Sequence, residues 1–227
     1  MGNSSSSSSS APDEGGDGGR RQPEAAPAPA APPNPSYWAM AKQGYGELVN
    51  AIIRPPRAEY SMDDLGPSAF TIAGRAFERS DVQLTNPRGL VLECSHWQPA
   101  RANRPAPRMP CVIYLHGNSS CRVEATSILA CCLSAGITVF SLDMAGSGHS
   151  GGEWVSLGHF EKDDLRTVTD HLRSTGGVAT IGLWGRSMGA ATALLHGPRD
   201  PSIAALVLDS SFADLDQLAL EMVRATC

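Results

Sequence analysis

The pentapeptide Gly185-Arg186-Ser187-Met188-Gly189 has the residue types and spacing of a serine presented for nucleophilic attack. It follows an apolar run, Ile181-Gly182-Leu183-Trp184, and precedes the small residues Ala190 and Ala191. That context predicts a buried strand turning sharply into a helix. Such a turn crowds the backbone. Gly185 and Gly189 would relieve the crowding, and Ser187 Oγ would project at a helix N-terminus, where backbone N–H groups favour negative charge. The chemistry would be attack on a carbonyl carbon.

Three further clusters follow apolar runs. His116-Gly117-Asn118-Ser119 comes after Cys111 to Leu115. In a sheet of this kind the backbone N–H groups of Asn118 and Met188 form the oxyanion hole, which stabilises the negative oxygen of a tetrahedral intermediate by several kcal/mol. His116, in an H-G turn, reads as structural rather than as a general base, and Gly117 as part of the turn. Asp143 to Ser150, after Ile137 to Leu142, resembles a phosphate loop superficially but lacks its lysine. Asp143 and its loop are therefore expected to wall the mouth of the site. Asp209 follows Leu206 to Leu208. It is either the acid of a triad or, as preferred here, a residue bracing the nearby loops. No cofactor loop or metal-ligand cluster is found, so neither a cofactor nor a metal is expected.

These clusters need a scaffold. Asp81 to Thr85 and Leu90 to Trp97 predict a hairpin through Asn86-Pro87-Arg88-Gly89. Strands are then expected at Cys111–Leu115, Ile137–Leu142, Ala179–Trp184 and Ala204–Leu208. Helices are expected at Cys121–Ala135, Phe160–Arg173, Ser187–His196 and Leu215–Val223. The helix from Phe160 is read as amphipathic, with Glu161, Lys162, Asp163 and Asp164 on its charged face. Alternation of this kind predicts an α/β fold, a mostly parallel sheet with helices on both faces. Sites in such folds lie at the carboxyl ends of the strands, where all four clusters fall.

Residues 1–36 are almost entirely Ser, Gly, Pro, Ala, Asp, Glu and Arg. So little apolar surface cannot offset the entropy of folding, and disorder is expected. Residues 37–58 read as a peripheral helix, with Trp38, Met40, Ala41, Tyr45, Leu48 and Ile52 in helical spacing, ended by a Pro-rich linker. Residues 59–227 form the core. The net charge of -5 and the absence of a basic run argue against nucleic acid. The 6 cysteines form no C-x-x-C pair. Cys111, Cys131 and Cys132 lie in apolar runs, so buried free thiols in a reducing, cytoplasmic compartment are expected.

The four motifs in this order resemble the α/β-hydrolase superfamily. Longer blocks (Val49 to Arg57, Leu84 to Gly89, Gly182 to Ala190, Leu208 to Ser210) resemble a eukaryotic branch close to the serine-aminopeptidase-like hydrolases. The resemblance implies a serine hydrolase acting on an acyl ester, thioester or related carboxylic bond of a small-molecule or acylated substrate. It also implies the chain order Ser, then acid, then His. His196 is the one histidine after Ser187, and it lies far along the same helix. The triad histidine is therefore not found. The expectation is a C-terminally truncated hydrolase with little activity as given, the alternative being a non-catalytic binding or regulatory module.

Met1-Gly2-Asn3-Ser4-Ser5-Ser6 fits the myristoylation pattern, with Gly2 the acylated residue. This implies peripheral membrane contact, although one acyl chain holds a protein to membrane only marginally. In a eukaryotic cell, Gly2→Ala should lower the membrane-bound fraction and remove the myristoyl mass. An unchanged mass and an unchanged fraction would refute the lipid reading.

Overall fold

A computed structural model describes residues 36–212 together with Asp214, Gln217 and Arg224. Gly2 and most of the helix expected at Leu215–Val223 lie outside the described residues. The first element is α1, Tyr37–Ile53, capped by the Ser36 side chain, which accepts from Ala39 N–H. Seven strands follow: β1 Ala69–Ile72, β2 Arg75–Thr85, β3 Val91–Pro99, β4 Met109–Leu115, β5 Thr138–Leu142, β6 Val178–Arg186 and β7 Ile203–Asp209. Three helices are interleaved with the later strands: α2 Thr126–Ser134, α3 Glu161–Ser174 and α4 Met188–His196.

The strands form one sheet in the order β1-β2-β3-β5-β4-β6-β7. β1, β2 and β3 pair antiparallel, and β3 is antiparallel to β5. β5, β4, β6 and β7 are parallel. The hairpin β2–β3 turns on Asn86, whose Oδ1 accepts from the N–H groups of Arg88 and Leu90, both at 2.9 Å. β1 was not foreseen, because Ala69 to Ile72 is too short to show a period. The helix expected from Cys121 opens instead as a 3-10 turn, Arg122–Ala125.

Alternation along the strands builds a core on each face. Ile113 and Leu115 of β4, with Phe140 and Leu142 of β5, face Leu165, Val168 and Leu172 of α3 and Met188 of α4. Tyr114 of β4 and Val139 of β5 face Ile128 and Leu133 of α2. β4 is central and apolar because both its faces are covered. The chain leaves β4 through α2 to β5 on one side, then returns through α3 to β6 on the other. In folds of this kind ligand sites lie at the carboxyl ends where connections diverge in this way, and here that point falls between β4 and β6.

Two expectations are corrected. The polar first turn of α3 does not face water: Glu161, Lys162 and Asp164 are buried. Glu161 accepts from Ser156 N–H at 2.8 Å and Gly158 N–H at 2.7 Å. Asp164 accepts from Asn86 Nδ2 at 2.6 Å, Arg88 at 3.0 Å and Ala145 N–H at 3.0 Å. Both carboxylates anchor loops from inside the fold. Burial pushes the Asp164 carboxyl up, and the hydrogen bonds it accepts oppose the shift. Of the thiols, Cys94, Cys111, Cys121 and Cys132 are buried and free, but Cys131 is exposed, because it lies on the outward side of α2. Burial holds the Cys111 thiol protonated, pushing its pKa up to about 12.

His96 on β3 is half-buried, and its Nε2, itself out of reach of solvent, has no partner among the described residues. Burial, then the charges of Arg104 and His171, lower its pKa to about 4. The unfolded chain titrates this imidazole near pH 6.5 and so binds more protons than the fold between those values. Stability is therefore full above about pH 6.5 and falls as the pH drops towards 4. Burial likewise lowers His116 and His196, so they add to the acid limb. His96→Phe should remove about 2.5 kcal/mol of that loss, measured as urea midpoints at pH 7.5 and pH 4.5. An equal midpoint shift in both proteins would contradict the assignment.

Candidate active site

Ser187 sits between β6 and α4 with φ 49° and ψ -112°. A non-glycine residue in that region is strained, and the surrounding structure must hold it there. The two glycines show how. A Cβ on Gly185 would lie 2.3 Å from Gly189 O, and one on Gly189 would lie 2.0 Å from Leu115 O. Only hydrogen fits at either position, so α4 packs directly over the ends of β4 and β6. The N–H of Ser187 donates to Asp209 O at 2.8 Å, and its carbonyl accepts from Ala191 N–H at 3.0 Å. Both backbone groups of the strained residue are therefore satisfied. Its side chain caps no N–H of α4.

The loop after β4 lies against this turn. A Cβ on Gly117 would be 3.9 Å from Ser187 Cβ and 3.8 Å from Arg186 O. His116 is completely buried. Its Nε2 lies 3.0 Å from Met144 N, a donor, so Nε2 accepts. The ring proton is thereby assigned to Nδ1, which donates to Gly117 O at 2.8 Å. Burial lowers the His116 pKa, and both nitrogens are engaged. The side chain holds two loops and is not free to take a proton. Among the described residues the N–H groups of Asn118 and Met188 have no protein acceptor.

Asp143 is fully buried at the end of β5. Its Oδ1 accepts from Arg122 N–H at 2.7 Å, and its Oδ2 from Tyr60 Oη at 2.7 Å and His149 N–H at 2.9 Å. It pins the loop that follows β5. Asp209 ends β7 with its carboxylate 3.9 Å from Arg186 Nε and accepts from Ser210 Oγ at 2.9 Å. No imidazole contacts it among the described residues. His149 stacks on Tyr60, with ring centroids 4.1 Å apart. His196 points to Lys162 O and Asp200 at the other end of α4. Among the described residues no imidazole hydrogen-bonds Ser187 Oγ.

Sequence reasoning missed Glu124. It lies in the 3-10 turn before α2 and accepts from Tyr114 Oη at 3.1 Å, Gly117 N–H at 3.1 Å and Arg186 at 2.8 Å. Burial alone would raise its pKa. Hydrogen bonds from Ser120, Arg186, Gly117 and Tyr114 override that and hold the carboxyl below its ordinary range. Its spacing from His116 matches no motif, so sequence carried no signal for it. Residues 52–57 were missed as well. Ile52 O accepts from Asn118 Nδ2 at 3.3 Å, Ile53 O accepts from Val155 N–H at 2.8 Å, and Arg57 donates to Gly148, Ser150 and Gly152 carbonyls. The end of the peripheral helix is thus tied to the loops after β4 and β5.

A strained serine at a strand-to-helix turn, beside the loop of the central strand, defines an α/β-hydrolase fold. The chain belongs to the serine aminopeptidase, S33 family, whose model matches residues 107–226. It is 34% identical over 117 residues to the uncharacterized protein YqkD of Bacillus subtilis (strain 168), covering 50% of this chain and 38% of that protein. Among solved structures it resembles the esterase Pf2001 of Pyrococcus furiosus, with TM-score 0.61 and 26% identity over 75% of this chain and 64% of that one. The α/β hydrolase GrgF of Penicillium sp. sh18 shares the fold, with TM-score 0.52 and 24% identity over 65% of this chain and 53% of that one. The chain thus spans less than two thirds of each of these relatives.

The crowding sets an expectation. Gly189→Ala places a methyl against the Leu115 carbonyl, and α4 and β4 must part to admit it. The loss should be about 3 kcal/mol or more, read as a lower urea midpoint. Gly136→Ala, where an added Cβ meets open space but φ is 77°, should lose only about 1 kcal/mol.

Proposed function

We propose that Ser187 is the nucleophile of a hydrolase acting on an acyl ester, thioester or related carboxylic bond. The observation that carries this reading is the strained φ of Ser187 between two glycines that admit no side chain. Strain of this kind persists only where the surrounding structure enforces it, and it accumulates at functional sites. Attack by Ser187 Oγ would form a tetrahedral intermediate whose oxygen is met by the N–H groups of Asn118 and Met188. Asp209 is proposed as a brace through Arg186, not as the acid. The esterase Pf2001 supports the choice of an acyl bond.

A serine hydroxyl is a weak nucleophile until a base takes its proton. The proposed nucleophile and oxyanion donors have no such base beside them among the described residues, since His116 has both nitrogens engaged. The 227-residue chain should therefore react slowly. A fluorophosphonate probe should label it at Ser187 alone, and Ser187→Ala should abolish the label. Turnover of p-nitrophenyl acetate should stay near the buffer rate. No label on Ser187 would overturn the nucleophile and favour a binding module. Rapid turnover would overturn the expectation of slow chemistry.

A further inference from the structure

Gly117 belongs to two peptide groups, and each is held by a different side chain. Its N–H, in the peptide from His116, donates to Glu124 Oε2 at 3.1 Å. Its carbonyl, in the peptide to Asn118, accepts from His116 Nδ1 at 2.8 Å. A trans peptide is planar, with its N–H opposed to its carbonyl. Holding the Gly117 carbonyl on one side therefore aims the Asn118 N–H to the other. Glycine offers little resistance to rotation of either peptide, so the aim depends on the two clamps.

The clamps differ in what they are attached to. His116 ties the loop to Met144, after β5. Glu124 ties it to the serine turn itself, because its other oxygen accepts from Arg186 at 2.8 Å, the residue before Ser187. Tyr114 Oη on β4 donates to the same oxygen at 3.1 Å. One half-buried carboxylate thus joins the central strand, the loop and the turn.

We propose that Glu124 is a positioning residue that sets the oxyanion peptide of Gly117 and Asn118 in register with Ser187, through Arg186. The proposal rests on Ser187 being the nucleophile. Glu124 touches no reacting atom in this role. It presets the direction of an N–H, so that no reorganisation accompanies charge development.

Two measurements on the 227-residue chain test this, one with and one without chemistry. The first is amide hydrogen exchange of Gly117, followed by NMR in the wild type, Glu124→Ala, Glu124→Gln and Arg186→Met. Exchange at Gly117 should be fastest in Glu124→Ala and intermediate in Glu124→Gln, which keeps an oxygen acceptor. The second is the concentration dependence of fluorophosphonate labelling. In Glu124→Ala the maximal rate should fall about 100-fold, the scale of losing one oxyanion donor. The half-saturating probe concentration should not move. Arg186→Met should show the same split to a smaller degree, and Glu124→Gln should recover part of the rate.

Unchanged Gly117 exchange in Glu124→Ala would overturn the clamp, whatever the labelling shows. Equal maximal rates in wild type and Glu124→Ala would overturn its role, while leaving Ser187 as nucleophile. A wild type that never labels at Ser187 would overturn the nucleophile reading and this inference with it, even if Gly117 exchange responds. Should Glu124→Ala fail to fold, Glu124→Gln and Arg186→Met carry the same comparison. Loss of thermal stability in those variants with an unchanged maximal rate would count against the proposal.

Discussion

The carbonyl of Leu115 and the backbone of Gly189 approach so closely that a single methyl would stand 2.0 Å from that oxygen. Much of the site follows from this contact. It brings the first turn of α4 down onto the end of the central strand. With Gly185 equally bare of side chain, the chain reverses between β6 and α4 within a few residues. Ser187 takes up the reversal in a strained conformation. The strain is borne because both backbone groups of Ser187 are hydrogen-bonded, one of them to the last residue of β7.

Buried charge organises the loops around that turn. Asp143, Glu161 and Asp164 are all buried, and each accepts several hydrogen bonds from the backbone or side chains of a connection. An unpaired carboxylate would not be tolerated there, since losing its water costs several kcal/mol. Fully paired, each becomes a fixed point from which a loop hangs. His116 does the same as a neutral imidazole. These loops are thus held by acceptors placed inside the fold, and their donors come from distant parts of the chain. Arg88 and Asn86 of the β2–β3 turn reach α3, and Tyr60 reaches the end of β5.

The strands were legible because continuous apolar runs between turn signals leave few options. Cys111 to Leu115 and Ile137 to Leu142 became β4 and β5 to within two residues. The serine turn was legible because glycine spacing answers a local steric demand. The first turn of α3 misled for a physical reason. Glu161, Lys162, Asp163 and Asp164 read as a wet face when only their own helix is considered. Burial depends on which loops cross over the helix, and those loops supply the donors. Glu124 was invisible for a related reason: its donors sit on β4, the following loop and the serine turn, which adjoin only after the sheet has formed.

The sequence by itself determined the α/β class, the serine and its glycines, and the loop that faces them. These rest on short-range rules: alternation, strand length, and the room a backbone needs to reverse. Tertiary structure decided which polar groups are tools and which are struts. His116, Asp143 and Asp209 all stand at strand ends and look alike in sequence. Burial and partners separated them into a neutral double clamp, a buried anchor and an exposed carboxylate beside Arg186. That separation follows from desolvation and hydrogen bonding across the sheet, which no local pattern of residues encodes.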